Sequence, residues 1–125
     1  MSEERRLVLI ADDDEDILAL VRTVLERSGH EVMVARDGAQ ALELARERRP
    51  DLAVLDISMP ELDGLEVLRR LRASAETSQL PVVLLSARAQ EEDVAFGYEN
   101  GASAYLPKPF SPRELTQRVA ELLAS

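Results

Sequence analysis

The sequence has no cysteine, which excludes disulfides and thiolate metal sites alike. No apolar run approaches the roughly 18 residues that a membrane helix needs. Leu7–Ala11, the first apolar run behind the polar start from Met1 to Arg6, is cut short by the acidic run Asp12 to Asp16. A secretory signal is therefore not expected. Basic residues are scarce: 15 Lys and Arg stand against 24 Asp and Glu, for a net charge of −9. That balance argues against a grip on nucleic acid, which needs clustered Lys and Arg. It suits a cation or a basic protein partner, although solubility alone would also account for it. Repeats, low-complexity tracts and Pro/Gly/Ser linkers are lacking. The expectation is a single cytoplasmic domain over residues 1–125, with its core from about residue 6 to 124.

What the chain does have is a fivefold alternation of short apolar runs and amphipathic stretches, with 46% hydrophobic residues to build a core. The runs Leu7–Ala11, Glu31–Ala35, Leu52–Asp56, Pro81–Ser86 and Ser103–Leu106 are rich in Val and Leu. Several are apolar on successive residues, as strands covered on both faces should be. Ile17, Leu20, Val21, Val24 and Leu25 form a helical stripe closed by Gly29, and Ala41, Leu42 and Ala45 form a second stopped by Pro50. Leu65, Leu68 and Leu71 form a third, with Asp63 as its cap. A fourth, from about Gln90 to Asn100, is the weakest, because Gly97 lies within it and Gly101 would end it. Ser111, Pro112 and Glu114 spell a capping box ahead of Leu115, Val119 and Leu122. This order predicts an α/β fold, a doubly wound parallel sheet with helices on both faces.

In such a sheet the site lies at the C-terminal ends of the strands. Asp12, Asp13 and Asp14 follow the first strand, Asp56 closes the third, Ser86 closes the fourth, and Lys108-Pro109 follows the fifth. Carboxylates gathered this closely repel one another, and their pKa values rise unless a cation compensates. A hard divalent ion such as Mg²⁺, content with a few carboxylates and waters, is the natural compensation. Lys108 adds a compact positive charge for a carboxylate or a phosphoryl oxygen. It is the only lysine in the chain.

These residues carry a resemblance. From Arg6 to Ala124 the chain resembles the receiver domain of two-component response regulators, the CheY-like domain. The marks are Asp12-Asp13, Asp56, Met59-Pro60, Asp63-Gly64, Ser86-Ala87 and the run from Tyr105 to Phe110, in order and each at the matching strand end. The resemblance implies a flavodoxin-like five-stranded sheet of order 2-1-3-4-5. It implies a signalling switch rather than an enzyme, whose only chemistry is phosphotransfer to its own Asp and auto-dephosphorylation. Asp56 would be the phosphoacceptor. Mg²⁺, with Mn²⁺ an acceptable substitute, would be bound by Asp13, Asp56 and the Ser58 backbone carbonyl, with Asp12 acting through water. Lys108 would pair with Asp56 and then with the phosphoryl group, Ser86 would bond a phosphoryl oxygen, and Tyr105 would change rotamer as Ser86 moves. The Lys108–Pro109 bond is often cis in such domains. The implied partners are a sensor histidine kinase or histidine phosphotransfer protein, a downstream output domain or protein, and a homodimer mate on the helix 4–strand 5–helix 5 face. Neither nucleic acid nor a membrane is an expected partner.

Each residue also has a plainer reading. An Asp run before a helix commonly only caps it, Ser86 and Met59-Pro60 suit turns, Lys108 could be solvated, and Tyr105 could be an aromatic at the sheet edge. His30, the only histidine, sits in the turn before the second strand, away from the strand ends, which argues against a kinase or phosphotransfer role. Two rival functions remain in view: a receiver-like interaction module that works without phosphorylation, and a phosphatase whose nucleophile lies in the Asp12-x-Asp14 motif. Ser86 stands where Thr is commoner, and Ser58 and Arg88 occupy positions that tune phosphoryl lifetime in the family.

Overall fold

The structure, a computed structural model, describes residues 5–88 and 90–124; the remainder of the expected 1–125 domain lies outside the described residues. Strands and helices alternate: β1 (Leu7–Ala11), α1 (Glu15–Arg27), β2 (Glu31–Ala35), α2 (Gly38–Arg48), β3 (Leu52–Asp56), α3 (Gly64–Ala73), β4 (Val82–Ser86), α4 (Glu91–Glu99), β5 (Ala104–Pro107) and α5 (Pro112–Ala124). All strand pairs are parallel, in the order β2-β1-β3-β4-β5. The chain thus turns from β1 to β2 on one side and then crosses to β3 on the other, which opens a crevice between the C-terminal ends of β1 and β3.

Alternate strand residues feed two cores. Leu9, Ala11, Ala53, Leu55, Val82, Leu84 and Tyr105 face α2 and α3, with Val94 of α4 partly buried against them. Val8, Ile10, Leu52, Val54, Val83, Leu85 and Leu106 face α1 and α5. Because β3 and β4 are buried at every residue, their sequences are apolar on successive residues up to the terminal Asp56 and Ser86 instead of alternating.

Local chemistry sets the boundaries. Asp14, Asp37 and Asp63 each accept backbone N–H groups at the starts of α1, α2 and α3. At α5 the capping box is reciprocal, with Glu114 N–H on Ser111 Oγ (3.1 Å) and Ser111 N–H on Glu114 Oε1 (3.0 Å). Gly29, beyond α1, takes a positive φ of 94°.

Three expectations shift. β4 starts at Val82 because Pro81 has no N–H for a ladder, though its carbonyl still accepts from Ala53 (2.9 Å). β5 starts at Ala104 because the Ser103 hydroxyl, rather than a carbonyl, receives Val82 N–H (3.0 Å). On α1 the buried line is Leu18, Val21 and Leu25, while Leu20 is 39% exposed. No helix among the described residues is long and apolar enough to cross a membrane.

Candidate functional site

The three aspartates after β1 divide into three environments. Asp12 is fully buried; its Oδ1 accepts Asp14 N–H (2.9 Å) and its Oδ2 accepts Lys108 Nζ (3.0 Å). Asp14 points the other way and caps α1, accepting from Asp16 N–H (2.9 Å) and Ile17 N–H (3.4 Å). Asp13, between them, is exposed. The helix-cap reading therefore holds for Asp14 and leaves the other two for the site.

Asp56, the last residue of β3, is 4% exposed and accepts Lys108 Nζ at 3.0 Å. Carboxylate oxygens of Asp12, Asp13 and Asp56 all lie within 4.8 Å of one another. Burial pushes the Asp56 pKa up; Lys108 opposes this, and the charges of Asp12 and Asp13 add to it. Lys108 is shifted up as well. Burial works against its charge, but the hydrogen bonds to Asp56 and Asp12 and the negative charges of both acids together outweigh it. A single ammonium group thus bridges two buried carboxylates, Asp12 and Asp56.

The backbone aims these groups. The Lys108–Pro109 peptide is cis, and Lys108 N–H donates to Ser86 O (2.7 Å), tying the β5 exit to the end of β4. Gly64 N–H donates to Ile57 O (2.8 Å), and a Cβ there would lie 2.3 Å from Asp56 O. Only glycine lets α3 start this close to the acceptor strand. Between them, Asp13, Ser58, Met59, Asp63 and Arg88 line an open depression of about 420 Å³. Met59 is buried and packs into the core, so the Met59-Pro60 turn also has a packing role.

Ser86 and Tyr105 are both buried and meet through one residue not anticipated in that role. Ser86 Oγ accepts Arg88 N–H (2.9 Å), and Tyr105 Oη donates to Arg88 O (2.7 Å). Tyr105 stands on the edge strand β5, with its side chain inward in the core beneath α4. The sequence gives no sign of this link because it runs through main-chain atoms. Lys108 also bridges directly to Asp12, beyond the pairing with Asp56 that the resemblance implies. His30, at the opposite end of the sheet, takes no part; burial and nearby Arg6 hold its pKa down.

The fold and this edge define a flavodoxin-like α/β protein with an acidic, lysine-bridged cleft at the switch point of its sheet. The chain belongs to the response regulator receiver domain family, whose sequence model matches residues 8–120. It is 45% identical over 116 residues to the alkaline phosphatase synthesis transcriptional regulatory protein PhoP of Bacillus subtilis, a match covering 93% of this chain and 48% of that protein. The chain spans about half the length of the curated relatives it matches. Among solved structures it is similar to a response regulator from Chloroflexus aurantiacus, with a TM-score of 0.93 and 35% identity over 98% of this chain and 100% of that one. It is also similar to the receiver domain of a sensor histidine kinase from Pseudomonas aeruginosa, solved with magnesium coordinated in its active-site cleft. There the TM-score is 0.90, with 28% identity over 98% of this chain and 100% of the other.

Proposed function

We propose that Asp56 accepts a phosphoryl group and that the chain is the switch of a two-component or phosphorelay pathway. The observation that carries this reading is the geometry of Lys108, 3.0 Å from both Asp12 and Asp56 with the Asp13 carboxylate alongside. A buried carboxylate thus has a cation in reach, and the next residues along the chain, Ile57 and Ser58, line an open depression together with Asp13. The donor set fits Mg²⁺, since it is all oxygen and holds one cation for three carboxylates. Asp13, Asp56 and the Ser58 carbonyl would hold the ion directly and Asp12 through water. Once bound, it supplies charge neutralisation for the carboxylates and the phosphoryl oxygens.

In the reaction an Asp56 oxygen forms a bond to phosphorus as the P–N bond of a donor phosphohistidine breaks. The electron pair stays on the imidazole nitrogen, which then takes up a proton. Lys108 exchanges part of its contact with Asp56 for a phosphoryl oxygen. The Ser86 hydroxyl turns from Arg88 N–H toward the same group, and Tyr105 follows through Arg88. The α4–β5–α5 surface carries the resulting population shift to an output. The donor is a sensor histidine kinase or histidine phosphotransfer protein. The output is a DNA-binding half or separate partner, in line with relatives named as transcriptional regulatory proteins. With a net charge of −9, this domain itself is not the DNA-binding part, and the cytoplasm is its place of action.

Incubation with acetyl phosphate and Mg²⁺, followed by intact mass measurement, tests this reading. One base-labile phosphoryl is expected on the wild type, and none on Asp56→Asn or after chelation of the metal. An adduct that persists in Asp56→Asn would assign the acceptor elsewhere. Absence of any adduct, with no beryllofluoride binding, would favour a module that works without phosphorylation.

A further inference from the structure

Gly97 is the only buried residue of α4. Glycine inside a helix costs about 1 kcal/mol relative to alanine, so its presence needs a reason. Unlike Gly29 and Gly101, it has no positive φ to explain it. The reason is lateral: a Cβ at position 97 would lie 2.8 Å from Tyr105 Cδ2, 3.1 Å from Cε2 and 3.3 Å from Leu84 Cδ1. The aromatic ring occupies the space that a side chain would take.

The C-terminal end of the helix is tied to the loop that follows it. Gly97 O accepts Ala102 N–H (3.1 Å) and Asn100 N–H (3.2 Å). The loop between is pinned by Arg72 of α3, whose Nε and Nη2 both donate to Gly101 O (3.0 and 2.9 Å). At its other end Tyr105 holds Arg88 O, and Arg88 N–H holds Ser86 Oγ. A continuous line of contacts therefore runs from the α4 backbone to the strand end beside Asp56.

We infer that Gly97 is a positioning residue for the switch: its missing side chain is the seat that admits Tyr105 inward and thereby couples the α4 surface to the state of Asp56. The inference rests on the phosphoacceptor reading above. A side chain at 97 expels the ring, and because coupling is reciprocal, it must also weaken whatever binds at Asp56 and favours the inward ring.

Beryllofluoride with Mg²⁺, titrated into the full chain, is the probe. Gly97→Ala should lower the apparent affinity about fivefold, at the low end of common coupling strengths. In a Tyr105→Ala background the same substitution should change it less than about twofold, since no ring is left to expel. The double variant also restores space, so it folds even where Gly97→Ala is poorly behaved. A spectroscopic companion exists because the chain has two tyrosines and no tryptophan. In a Tyr98→Phe background, Gly97→Ala should reduce the near-ultraviolet dichroism of Tyr105, reporting loss of its fixed seat. Unchanged affinity in Gly97→Ala, or equal weakening in both backgrounds, would overturn the inference while leaving Asp56 in its role. Failure of wild type to bind beryllofluoride, or equal binding by Asp56→Asn, would remove the phosphoacceptor reading and this inference with it.

Discussion

Helices α3 and α4 occupy equivalent slots, each leaving a strand whose last residue is in the site, yet they are anchored very differently. α3 has a side-chain cap, Asp63 on Glu66 N–H at 2.8 Å, and buries Gly64, Val67, Leu68 and Leu71. α4 has no side-chain cap hydrogen bond and buries Gly97 alone, with Val94 only partly covered. α3 carries Arg70 and Arg72 in its last turn, where they complement the macrodipole, and α4 has no base there. The contrast follows the two jobs. α3 fixes the loop that brings Ser58 and Asp63 to the depression, and its first residue touches the Asp56 backbone. α4 belongs to the surface proposed to carry the population shift, and an element with few buried contacts moves at low free-energy cost.

The sharpest test of that contrast is a pair of truncations. Leu68→Ala, at a fully buried position, should cost about 2–5 kcal/mol in a urea unfolding experiment. Val94→Ala should cost less than half as much, because its side chain is only partly removed from water. Similar losses for both would erase the distinction. Next in size comes the strap between the helices. Arg72→Ala removes charged hydrogen bonds to Gly101 O and should cost about 1.5–3 kcal/mol. Its informative readout is hydrogen exchange: amides of residues 97–103 should speed up while those of 64–71 stay protected. Uniform acceleration would mean that Arg72 supports the whole domain rather than tethering the looser helix to the firmer one.

The tighter half was also the more legible. Strands β1, β2 and β3 and the caps at Asp63 and Ser111 follow from side-chain patterns, which the sequence displays directly. The acids at the strand ends could be foreseen to converge, since parallel order puts all C-terminal ends on one edge. What escaped notice depends on atoms without sequence identity or on which side of a helix faces inward. The Arg88 main chain joins Ser86 to Tyr105 whatever side chain stands at 88. Leu20 fitted the apolar periodicity of α1, but Leu18 is the one that meets the sheet. Gly97 read as a flaw in a weak helix, because the ring that needs its space is eight positions further on, in β5.

The smallest prediction exchanges the caps. Asp63→Ala should cost about 1 kcal/mol, the usual loss when a side-chain cap is deleted. Gln90→Ala should be nearly neutral, because Gln90 makes no side-chain cap bond to lose. Gln90→Ser goes further and gives α4 the device that α3 already has. The backbone at 90 is extended, as an N-cap requires, so the new hydroxyl can reach the free N–H groups of the first turn. A gain of about 0.5 kcal/mol is expected by thermal unfolding, with slower exchange confined to α4. If α4 is loose because the switch needs it loose, that gain should come with weaker beryllofluoride-induced change in α4 exchange. A stabilised α4 that responds as fully as wild type would show that its weak anchoring is incidental, and that the motion is set by the Tyr105 seat alone.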